Sequence, residues 1–385
     1  MPDFSRLDAH IQGLIAQGKF PSATLCVYHH NQLVKNTAYG CPDPEHPWPA
    51  QTDTLYDIAS LSKIFAGTAF LVLCEQGIFS LDEPISRSFP EFSGMREIRT
   101  AANELLADQP DQLLGYADVG TVTWRQVLVH HSGIGWAPLY QKCRDRADAL
   151  RMICTMPLAY RPGEEVLYTD LGLILLGAAM EQRLGERLDT IVSELVCRPL
   201  GLEDTCYRPV DEGAKPENTA PTEYCSFRGM RMHGLVHDEN AYFFNGVAGD
   251  AGVFSTAKDV ATLAQSYFLS LQGKPGIVST ALARDMIRFR QMNRWDRRGL
   301  LWQLRILDTD AHSFALGRSA FGHTGFTGTC MWCDPERALC FALLTNDVYA
   351  GRENRTMGAV RKGIVEELIS AIDKTDTCCR APDVR

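Results

Sequence analysis

The sequence predicts a protein of mixed α and β structure with antiparallel strands near both of its ends. Two strand-like runs flank a polar turn near the N-terminus, which is the pattern of a hairpin. Helical patterns fill most of the middle of the chain. After Trp302 short strand-like runs return, separated by Asp, Gly and Pro, and they predict an antiparallel meander.

The N-terminal part of the chain is predicted to hold a helix, a hairpin and a loop before a second helix. Apolar side chains in residues 4–18 repeat at helical spacing. Strands are predicted at Ser22–Tyr28 and Leu33–Tyr39, with a polar turn between them. Residues 41–53 are rich in proline and polar groups and are interpreted as a loop. The next helix is predicted to begin near Ser60.

Three further helices, a meander and a closing helix are predicted in the rest of the chain. One helix covers residues 122–133 and another covers Leu171–Leu184. A third runs to about Leu271, with Ser255 or Thr256 as its N-cap. The strands of the meander and the closing helix are predicted at Gln303–Leu307, Ser313–Leu316, Gly328–Cys333, Leu339–Thr345 and Thr356–Ile372.

Length and charge restrict the kind of protein. With 385 residues the chain is long enough for one large domain or two lobes. Its 38 basic and 47 acidic residues give a net charge of -9, which argues against a nucleic-acid-binding protein because such a protein needs a basic face. The N-terminus carries no basic stretch followed by an apolar one, and no apolar run approaches the roughly 20 residues that cross a bilayer. We therefore expect a cytoplasmic protein that binds neither nucleic acid nor membrane.

The 13 cysteines are expected to be reduced, since their number is odd and no signal peptide is visible. Cys330 and Cys333 match a C-x-x-C pattern. A zinc site would need a second such pair or closely spaced histidines, and neither occurs nearby. The sequence therefore predicts no metal and no cofactor.

Ser60 and Lys63 form an S-x-x-K pattern at the predicted start of a helix. At this spacing the two side chains lie on one helix face, so the lysine amine can reach the serine hydroxyl. Serine is a weak nucleophile at neutral pH until a neighbour takes its proton, and a lysine that is kept partly neutral can do so. Ser62 is the rival nucleophile, but it lies one residue from Lys63 and off the same face. Because the pattern alone is common, its meaning depends on two further motifs.

The second motif is Tyr168 with Asp170, on a loop that enters the predicted helix at Leu171. Side chains in such a position can point into a cleft. The alternative interpretation is structural, an aspartate N-cap behind a packed tyrosine. His130 and His131, at the end of the preceding helix, also allow two interpretations, as catalytic groups or as residues that bond nearby carbonyls, and the structural one is favoured.

The third motif is His323-Thr324-Gly325, followed by Phe326, between strand-like runs. Small residues let a ligand approach a strand closely, and backbone N–H groups at a strand edge can form half of an oxyanion hole. A glycine-rich turn between strands is the alternative interpretation. The order of the three motifs along the chain is therefore more informative than any one of them.

In this order the three motifs resemble the active site of the serine β-lactamase and penicillin-binding-protein-like superfamily. The resemblance covers nearly the whole chain and is closest to the branch of class C β-lactamases, D,D-carboxypeptidases, D-aminopeptidases and family VIII esterases. It implies a β-lactamase/transpeptidase-like fold with an α/β lobe and an all-α lobe. Residues 1–65 and 300–385 would form the α/β lobe, an antiparallel sheet flanked by helices, and residues 66–299 the mainly helical lobe. The active site would lie in the cleft between the lobes.

The resemblance also implies a role for each residue of the motifs. Ser60 would be acylated, Lys63 would accept or relay its proton, and Tyr168 would act with Lys63 on the leaving group and later on water. The backbone N–H groups of Ser60 and Phe326 would form the oxyanion hole. The substrate-binding residues would be Asp170, His323, Thr324 and Gly325.

Two residues depart from the family's usual pattern. The second motif more often ends in asparagine, which can donate a hydrogen bond to a substrate carbonyl, whereas an ionised Asp170 only accepts. The third motif often begins with lysine, and His323 in its place predicts a weaker, pH-dependent attraction for a substrate carboxylate. Both departures weigh against β-lactam recognition, although some D,D-peptidases of the family carry H-T-G.

The sequence therefore predicts a metal-free serine hydrolase that works through an acyl-enzyme on small-molecule carboxylic esters or small amides. Three alternatives stay open: a D-amino-acid peptidase or weak β-lactamase, an acyltransferase with an acceptor other than water, and a catalytically silent relative that binds a ligand in the cleft. The silent relative is disfavoured because such family members usually lose the lysine or the tyrosine, and this chain has both Lys63 and Tyr168.

Overall fold

A computed structural model describes residues 2–379 apart from residues 107, 212, 214–217, 293–296 and 306–314. The α-helices, numbered α1 to α12 along the chain, are Ser5–Ala16, Ser62–Glu75, Trp124–Leu128, Leu139–Lys142, Arg146–Thr155, Leu171–Leu184, Leu188–Val192, Arg198–Leu200, Glu239–Phe243, Ala257–Leu271, Thr280–Met286 and Met357–Cys379. The strands, numbered β1 to β15, are Ser22–His29, Gln32–Gly40, Tyr56–Asp57, Met95–Arg99, Leu113–Asp118, Cys206–Tyr207, Tyr224–Cys225, Met230–Arg231, Val253–Ser255, Gln291–Met292, Arg297–Arg298, Gln303–Leu304, Phe321–Thr324, Cys330–Asp334 and Leu339–Thr345.

An eight-stranded antiparallel sheet joins the two ends of the chain. Its strand order is β10-β11-β12-β13-β14-β15-β1-β2, so the N-terminal hairpin pairs with the last strand of the meander. Ala23 lies opposite Thr345 and His29 lies opposite Leu339 in this pairing. The predicted hairpin and meander are therefore parts of one sheet.

Helices cover both faces of this sheet. On one face α1 and α12 pack against alternate strand residues such as Leu25, Val27 and Phe341. On the other face the intervening residues Cys26 and Ala342 join the larger core cluster, and α10 packs against β1, β14 and β15. Strand residues alternate between faces, so each strand contributes to both clusters and the central strand β15 is buried throughout.

The two long apolar helices α2 and α6 pack against each other in the larger cluster. Nearly every residue of α2 and most of those of α6 are buried, which agrees with sequences that are apolar all round rather than along one stripe. Because α2 follows Ser60 and α6 follows Asp170, this packing brings the first two motifs together.

Several predicted elements agree with the structure and three do not. Of the strand predicted at Gln303–Leu307, only Gln303–Leu304 is a strand, and residues 306–307 lie outside the described part of the chain. The helix Leu171–Leu184 has the predicted bounds, and Thr256 is the N-cap of α10, where its hydroxyl accepts a hydrogen bond from the Asp259 amide. The helix predicted over residues 122–133 ends at Leu128, because His130 adopts a left-handed conformation with φ of +55°. Of the strand predicted at Ser313–Leu316, residues 313–314 lie outside the described part of the chain and the last two residues lie in a turn and a bend.

The division of the chain into two lobes at residues 65 and 300 stays a prediction. The sheet also includes β10 and β11, which precede residue 300. Among the described helices, none has the length and apolar character needed to cross a bilayer.

Candidate active site

Ser60 lies in a 3₁₀ turn, Ala59–Leu61, directly before α2. Ala59 has a φ of +48°, a left-handed conformation that residues with a Cβ rarely adopt. Asp57 holds this conformation, because its Oδ1 accepts a hydrogen bond of 2.8 Å from the Ala59 amide. The predicted helix start is therefore a constrained turn, here called the nucleophile turn, that presents Ser60 to the cleft.

Lys63 is buried beneath Ser60 among hydrogen-bond acceptors. Its Nζ lies 3.0 Å from Ser60 Oγ and 3.0 Å from the carbonyl oxygen of Asp250. Asp170 Oδ1 lies 2.6 Å from the same Nζ. Burial alone would lower the pKa of Lys63, but the charge of Asp170, with smaller contributions from Tyr168 and Asp250, outweighs burial and raises that pKa above its ordinary value. In the resting site Lys63 is therefore an ammonium group rather than the partly neutral amine that a base requires.

Tyr168 lies beside this ion pair. Lys63 Nζ is 5.1 Å from the centre of the tyrosine ring, and the tyrosine hydroxyl is buried. Burial raises the pKa of Tyr168 and the charge of Lys63 opposes this rise, so the phenol stays protonated at neutral pH. The ring of His130 packs 4.6 Å from the tyrosine ring, and its Nδ1 accepts a hydrogen bond of 3.3 Å from the Thr169 amide. His130 thus has a structural role, although its bond is to an amide and not to the carbonyls that the sequence suggested.

The segment that carries the third motif packs against the nucleophile turn. Thr327 Oγ1 donates a hydrogen bond of 2.7 Å to the carbonyl of Asp57, and Thr329 Oγ1 donates one of 3.1 Å to the carbonyl of Ile58. A Cβ at Gly325 would lie 2.5 Å from the Ile58 carbonyl oxygen, so a side chain does not fit there. The glycine therefore lets the protein's own backbone approach closely, while the predicted approach of a ligand stays a prediction.

His323 and Thr324 end strand β13 beside Ser60, and His323 is buried. His323 Nδ1 lies 2.8 Å from the carbonyl oxygen of Thr324. Burial, together with the charges of Arg298 and Lys63, lowers the pKa of His323 well below its ordinary value. The predicted pH-dependent attraction of His323 for a carboxylate is therefore wrong, because the ring stays neutral through the physiological range.

Phe326 lies at the mouth of the cleft, where its side chain is partly exposed. Its ring stacks on the His237 ring, with 5.3 Å between the two ring centres. The guanidinium of Arg355 lies 3.6 Å from the centre of the Phe326 ring. Phe326 and Ser60 both border the two cavities that meet at the nucleophile. The role of their backbone amides as an oxyanion hole stays a prediction.

The structure also shows where Ser62 and the two cysteines of the C-x-x-C pattern lie. Ser62, the rival nucleophile, is fully buried, and its Oγ accepts a hydrogen bond of 3.0 Å from the Val253 amide. Cys330 and Cys333 face opposite sides of β14, since one belongs to the cluster under α1 and α12 and the other to the larger cluster. Their thiols therefore cannot bind one metal ion together.

The cavity on the sheet side of Ser60 has a volume of about 530 Å³. Arg298, Arg355 and Arg361 line it together with His323 and Thr324, and it is called the arginine pocket below. The Arg298 guanidinium also lies 5.0 Å from the centre of the ring of Tyr168, which was predicted to be catalytic. No sequence pattern marked these arginines, because Arg298 comes from β11, Arg355 from the segment before α12 and Arg361 from α12 itself.

The cavity on the opposite side of Ser60 has a volume of about 320 Å³. Five carboxylates line it, and it is called the acidic pocket below; they belong to Glu104, Asp170, Asp238, Glu239 and Asp250. Asp170 was predicted to bind substrate, whereas the others were not identified. The glycine-rich segment 246–252, which contains Asp250, was the available signal in the sequence.

Known proteins similar to this chain include bacterial proteins named as a carboxypeptidase and an amidase, and a hydrolase of known structure. A family model described as Beta-lactamase matches residues 7–364. A putative D-alanyl-D-alanine carboxypeptidase of Escherichia coli (strain K12) is 31% identical over 358 residues, which cover 85% of this chain and 78% of the relative. An N-acetylmuramyl-L-alanine amidase of Bacillus subtilis (strain 168) is 30% identical over 380 residues, which cover 89% of this chain and 80% of the relative. EstCE1, a hydrolase with promiscuous acyltransferase activity, has the same fold, with a TM-score of 0.70 at 21% identity over 95% of this chain and 97% of its own.

Proposed function

The chain belongs to the beta-lactamase family, and on that premise we propose that it is a serine peptidase that releases a C-terminal residue with a free carboxylate from a short peptide. At the coarser level it is a hydrolase of the serine β-lactamase fold. The finer assignment depends on one observation, the arginine pocket beside Ser60.

The arginine pocket supplies the charge that a C-terminal carboxylate needs. Arg298, Arg355 and Arg361 surround the same cavity, and an arginine can bind a carboxylate through two parallel hydrogen bonds. His323 is neutral and contributes no charge of its own. The sequence alone favoured uncharged esters or small amides, but such substrates carry no charge for these arginines to bind. The printed name of the E. coli relative, a putative carboxypeptidase, agrees with a substrate that ends in a carboxylate.

In the proposed acylation step Lys63, which has first released its ammonium proton to solvent, takes the proton of Ser60 while Ser60 Oγ forms a bond to the scissile carbonyl carbon. The backbone amides of Ser60 and Phe326 stabilise the oxyanion of the tetrahedral intermediate. Tyr168 then gives its proton to the leaving nitrogen, and the C–N bond breaks. The products of this step are the acyl-enzyme, a tyrosinate beside the Lys63 ammonium, and the free amine.

In the proposed deacylation step, the Tyr168 phenolate takes a proton from water and the hydroxide attacks the acyl carbon. The bond to Ser60 Oγ breaks, and Lys63 returns its proton to the serine. Ser60 and Tyr168 are then protonated again, and Lys63 is again the neutral amine. Acyl transfer would differ only in the acceptor that replaces water.

A pair of peptides that differ only at the C-terminus tests the proposal. We expect N-acetyl-D-alanyl-D-alanine to be cleaved with a kcat/KM at least about tenfold higher than its C-terminal amide, because a hydrogen-bonded charge contributes about 1.5–3 kcal/mol. Arg355→Gln and Arg298→Gln should each reduce this preference. Arg144→Gln is the control, since Arg144 is exposed and borders neither pocket.

Equal rates for the acid and the amide in the wild-type protein would contradict the proposal. Fast cleavage of a p-nitrophenyl ester without cleavage of either peptide would also contradict it and would favour the esterase that the sequence suggested. Thermal unfolding of each variant separates a lost contact from a lost fold.

A further inference from the structure

The acidic pocket holds more negative than positive charge. Asp170 pairs with Lys63 at 2.6 Å, and Glu239 pairs with Arg352 at 2.6 Å. Among the described residues no basic side chain forms an ion pair with any of the other three acids, which are Glu104, Asp238 and Asp250.

Asp250 is the clearest sign of a missing cation. Its side chain is fully buried, and neither of its carboxylate oxygens has a hydrogen-bond partner within the described structure. Carboxylate oxygens of Asp170, Asp238 and Asp250 all lie within 4.8 Å of one another. Burial and the neighbouring carboxylates raise the pKa of Asp250 above its ordinary value and that of Asp238 to about 6. Protonation relieves this crowding in the resting pocket, and a cationic ligand that replaces the proton would relieve it as well.

We propose that the acidic pocket binds a primary ammonium group on the acyl part of the substrate. This inference rests on the proposed function, because it names the group that lies on the other side of the scissile bond from the carboxylate. The substrate would then be a short zwitterionic peptide with its positive end in the acidic pocket and its negative end in the arginine pocket.

An organic ammonium fits this pocket better than a metal ion. The Lys63 ammonium already lies 2.6 Å from Asp170, and at the same distance it would repel a divalent cation about twice as strongly as a singly charged ammonium group. Trp136 and Tyr140 also line the pocket, and aromatic rings attract organic ammonium groups through cation–π interactions. A volume of about 320 Å³ gives space for an amino-acid-sized group.

The ammonium can reach the carboxylates from a substrate that is bound at Ser60. Lys63 Nζ is 3.0 Å from Ser60 Oγ and 2.6 Å from Asp170 Oδ1, so this carboxylate lies less than 6 Å from the nucleophile. In an aminoacyl group the α-nitrogen is about 2.5 Å from the carbonyl carbon. An α-ammonium is therefore within reach of Asp170, and the amine of a side chain could extend further toward Glu104.

Binding to the Ser60→Ala protein tests the inference without depending on turnover. Titration calorimetry would compare D-alanyl-D-alanine with its N-acetyl form, and Nα-acetyl-L-lysyl-D-alanyl-D-alanine with its Nε-acetyl form. We expect the amine to bind at least about tenfold more tightly than its acetylated twin in one pair, and that pair identifies the α-amine or the side-chain amine as the ligand.

Two variants in the Ser60→Ala background should remove this preference. Asp238→Asn keeps the N-cap of α9, where Asp238 accepts a hydrogen bond from the Ala241 amide, but removes the charge. Glu104→Gln removes a charge at a second position of the same pocket. Asp145→Asn is the matched control, because Asp145 caps α5 in the same way and borders neither pocket.

Equal affinity for both members of both pairs would overturn the inference. Micromolar binding of Mg²⁺ or Ca²⁺ without any amine preference would also overturn it and would assign the cluster to a metal. Failure of the proposed function has a different signature, since the wild-type protein would then cleave none of these peptides while the binding preference is still measurable.

Discussion

The ion pair between Lys63 and Asp170 determines how the nucleophile can be activated. Asp170 stands where the family motif more often has asparagine, and its Oδ1 lies 2.6 Å from Lys63 Nζ. An adjacent carboxylate favours the charged form of a lysine. The resting enzyme thus holds its proposed base in the protonated form, and activity should increase as the pH rises.

Replacing Asp170 by asparagine should shift this pH dependence. Because Asp170 raises the pKa of Lys63, its removal lowers that pKa, and the neutral amine becomes available at lower pH. We expect the rising limb of kcat/KM against pH for p-nitrophenyl acetate to move to lower pH in Asp170→Asn. A neutral ester is used so that the titration of the substrate does not enter the profile.

The control for this experiment is Asp145→Asn, which removes a carboxylate that borders neither pocket. Its profile should overlay that of the wild type. A profile for Asp170→Asn that stays in place or moves to higher pH would mean that the Lys63 ammonium does not limit the reaction.

At the residue scale, the sequence located those site residues that lie in local patterns. Ser60 with Lys63, and Tyr168 with Asp170, are each close in sequence, and the structure brings these pairs together. Asp238, Arg298 and the other residues that give the two pockets their charge come from separate segments. Their proximity depends on tertiary packing, so no spacing in the sequence could reveal it. For the same reason, the sequence could not show that Lys63 carries a positive charge in the resting site.

At the scale of elements, the nucleophile turn and the segment after β13 are fixed to each other through backbone contacts. The hydroxyl of Thr327 donates a hydrogen bond to the Asp57 carbonyl, and that of Thr329 donates one to the Ile58 carbonyl. At Gly325 the two segments approach so closely that a side chain does not fit. The position of Ser60 therefore depends on the sheet as well as on α2.

Gly325→Ala should separate these elements and damage both stability and activity. The added methyl group would overlap the Ile58 carbonyl, which is backbone and cannot rotate away. We expect the free energy of unfolding to fall by about 1–3 kcal/mol, as for other overpacked sites, and kcat to fall with it. Urea unfolding monitored by tryptophan fluorescence, together with ester turnover, would measure both effects.

Gly13→Ala gives the matching control in a helix. Gly13 lies within α1 and has open space where a Cβ would be placed. Alanine has the higher helix propensity, so this variant should gain up to about 1 kcal/mol and keep its activity. A Gly325→Ala protein that is as stable and active as wild type would show that the close contact is not needed.

The long elements were predictable and the short ones were not. The helix α6 and the strand β15 have runs of apolar residues that give their bounds directly. The strands β10 to β12 have two residues each, and β5 has mostly exposed side chains, so neither produces a clear hydrophobic pattern. Their positions are set by pairing with distant segments.

At the scale of the whole molecule, a buried ion network links the loop before α9 to the segment before α12. Glu223 Oε1 lies 2.8 Å from His237 Nε2 and 2.6 Å from an Arg352 nitrogen, and Arg352 also pairs with Glu239. This network lies behind the mouth of the acidic pocket, which His237, Glu239 and Arg352 border.

The network predicts a stability difference that depends on pH. Burial alone would raise the pKa of Glu223, but hydrogen bonds from His237 and Arg352 outweigh it and lower that pKa to about 2. A lowered carboxylate pKa stabilises the folded state above the ordinary pKa of about 4.5, and this contribution is lost as the pH falls toward 2. Glu223→Gln should therefore unfold more easily at pH 7, by up to about 3 kcal/mol.

Urea unfolding of Glu223→Gln and wild type at several pH values would check this expectation. The difference between the two proteins should shrink as the pH is lowered from 5 to about 2. A difference that does not change with pH would mean that the contribution of Glu223 comes from packing and not from its charge.

Formation of an acyl-enzyme at Ser60 can be measured by peptide mapping after a rapid acid quench. The wild-type, Ser60→Ala and Ser62→Ala proteins would be mixed with p-nitrophenyl acetate and analysed by mass spectrometry. We expect one acetyl group on Ser60 in the wild type and in Ser62→Ala. We also expect Ser60→Ala to lose turnover by at least about 10³-fold. Turnover that survives in Ser60→Ala, or an acetyl group on another residue during turnover, would contradict the proposed role of Ser60.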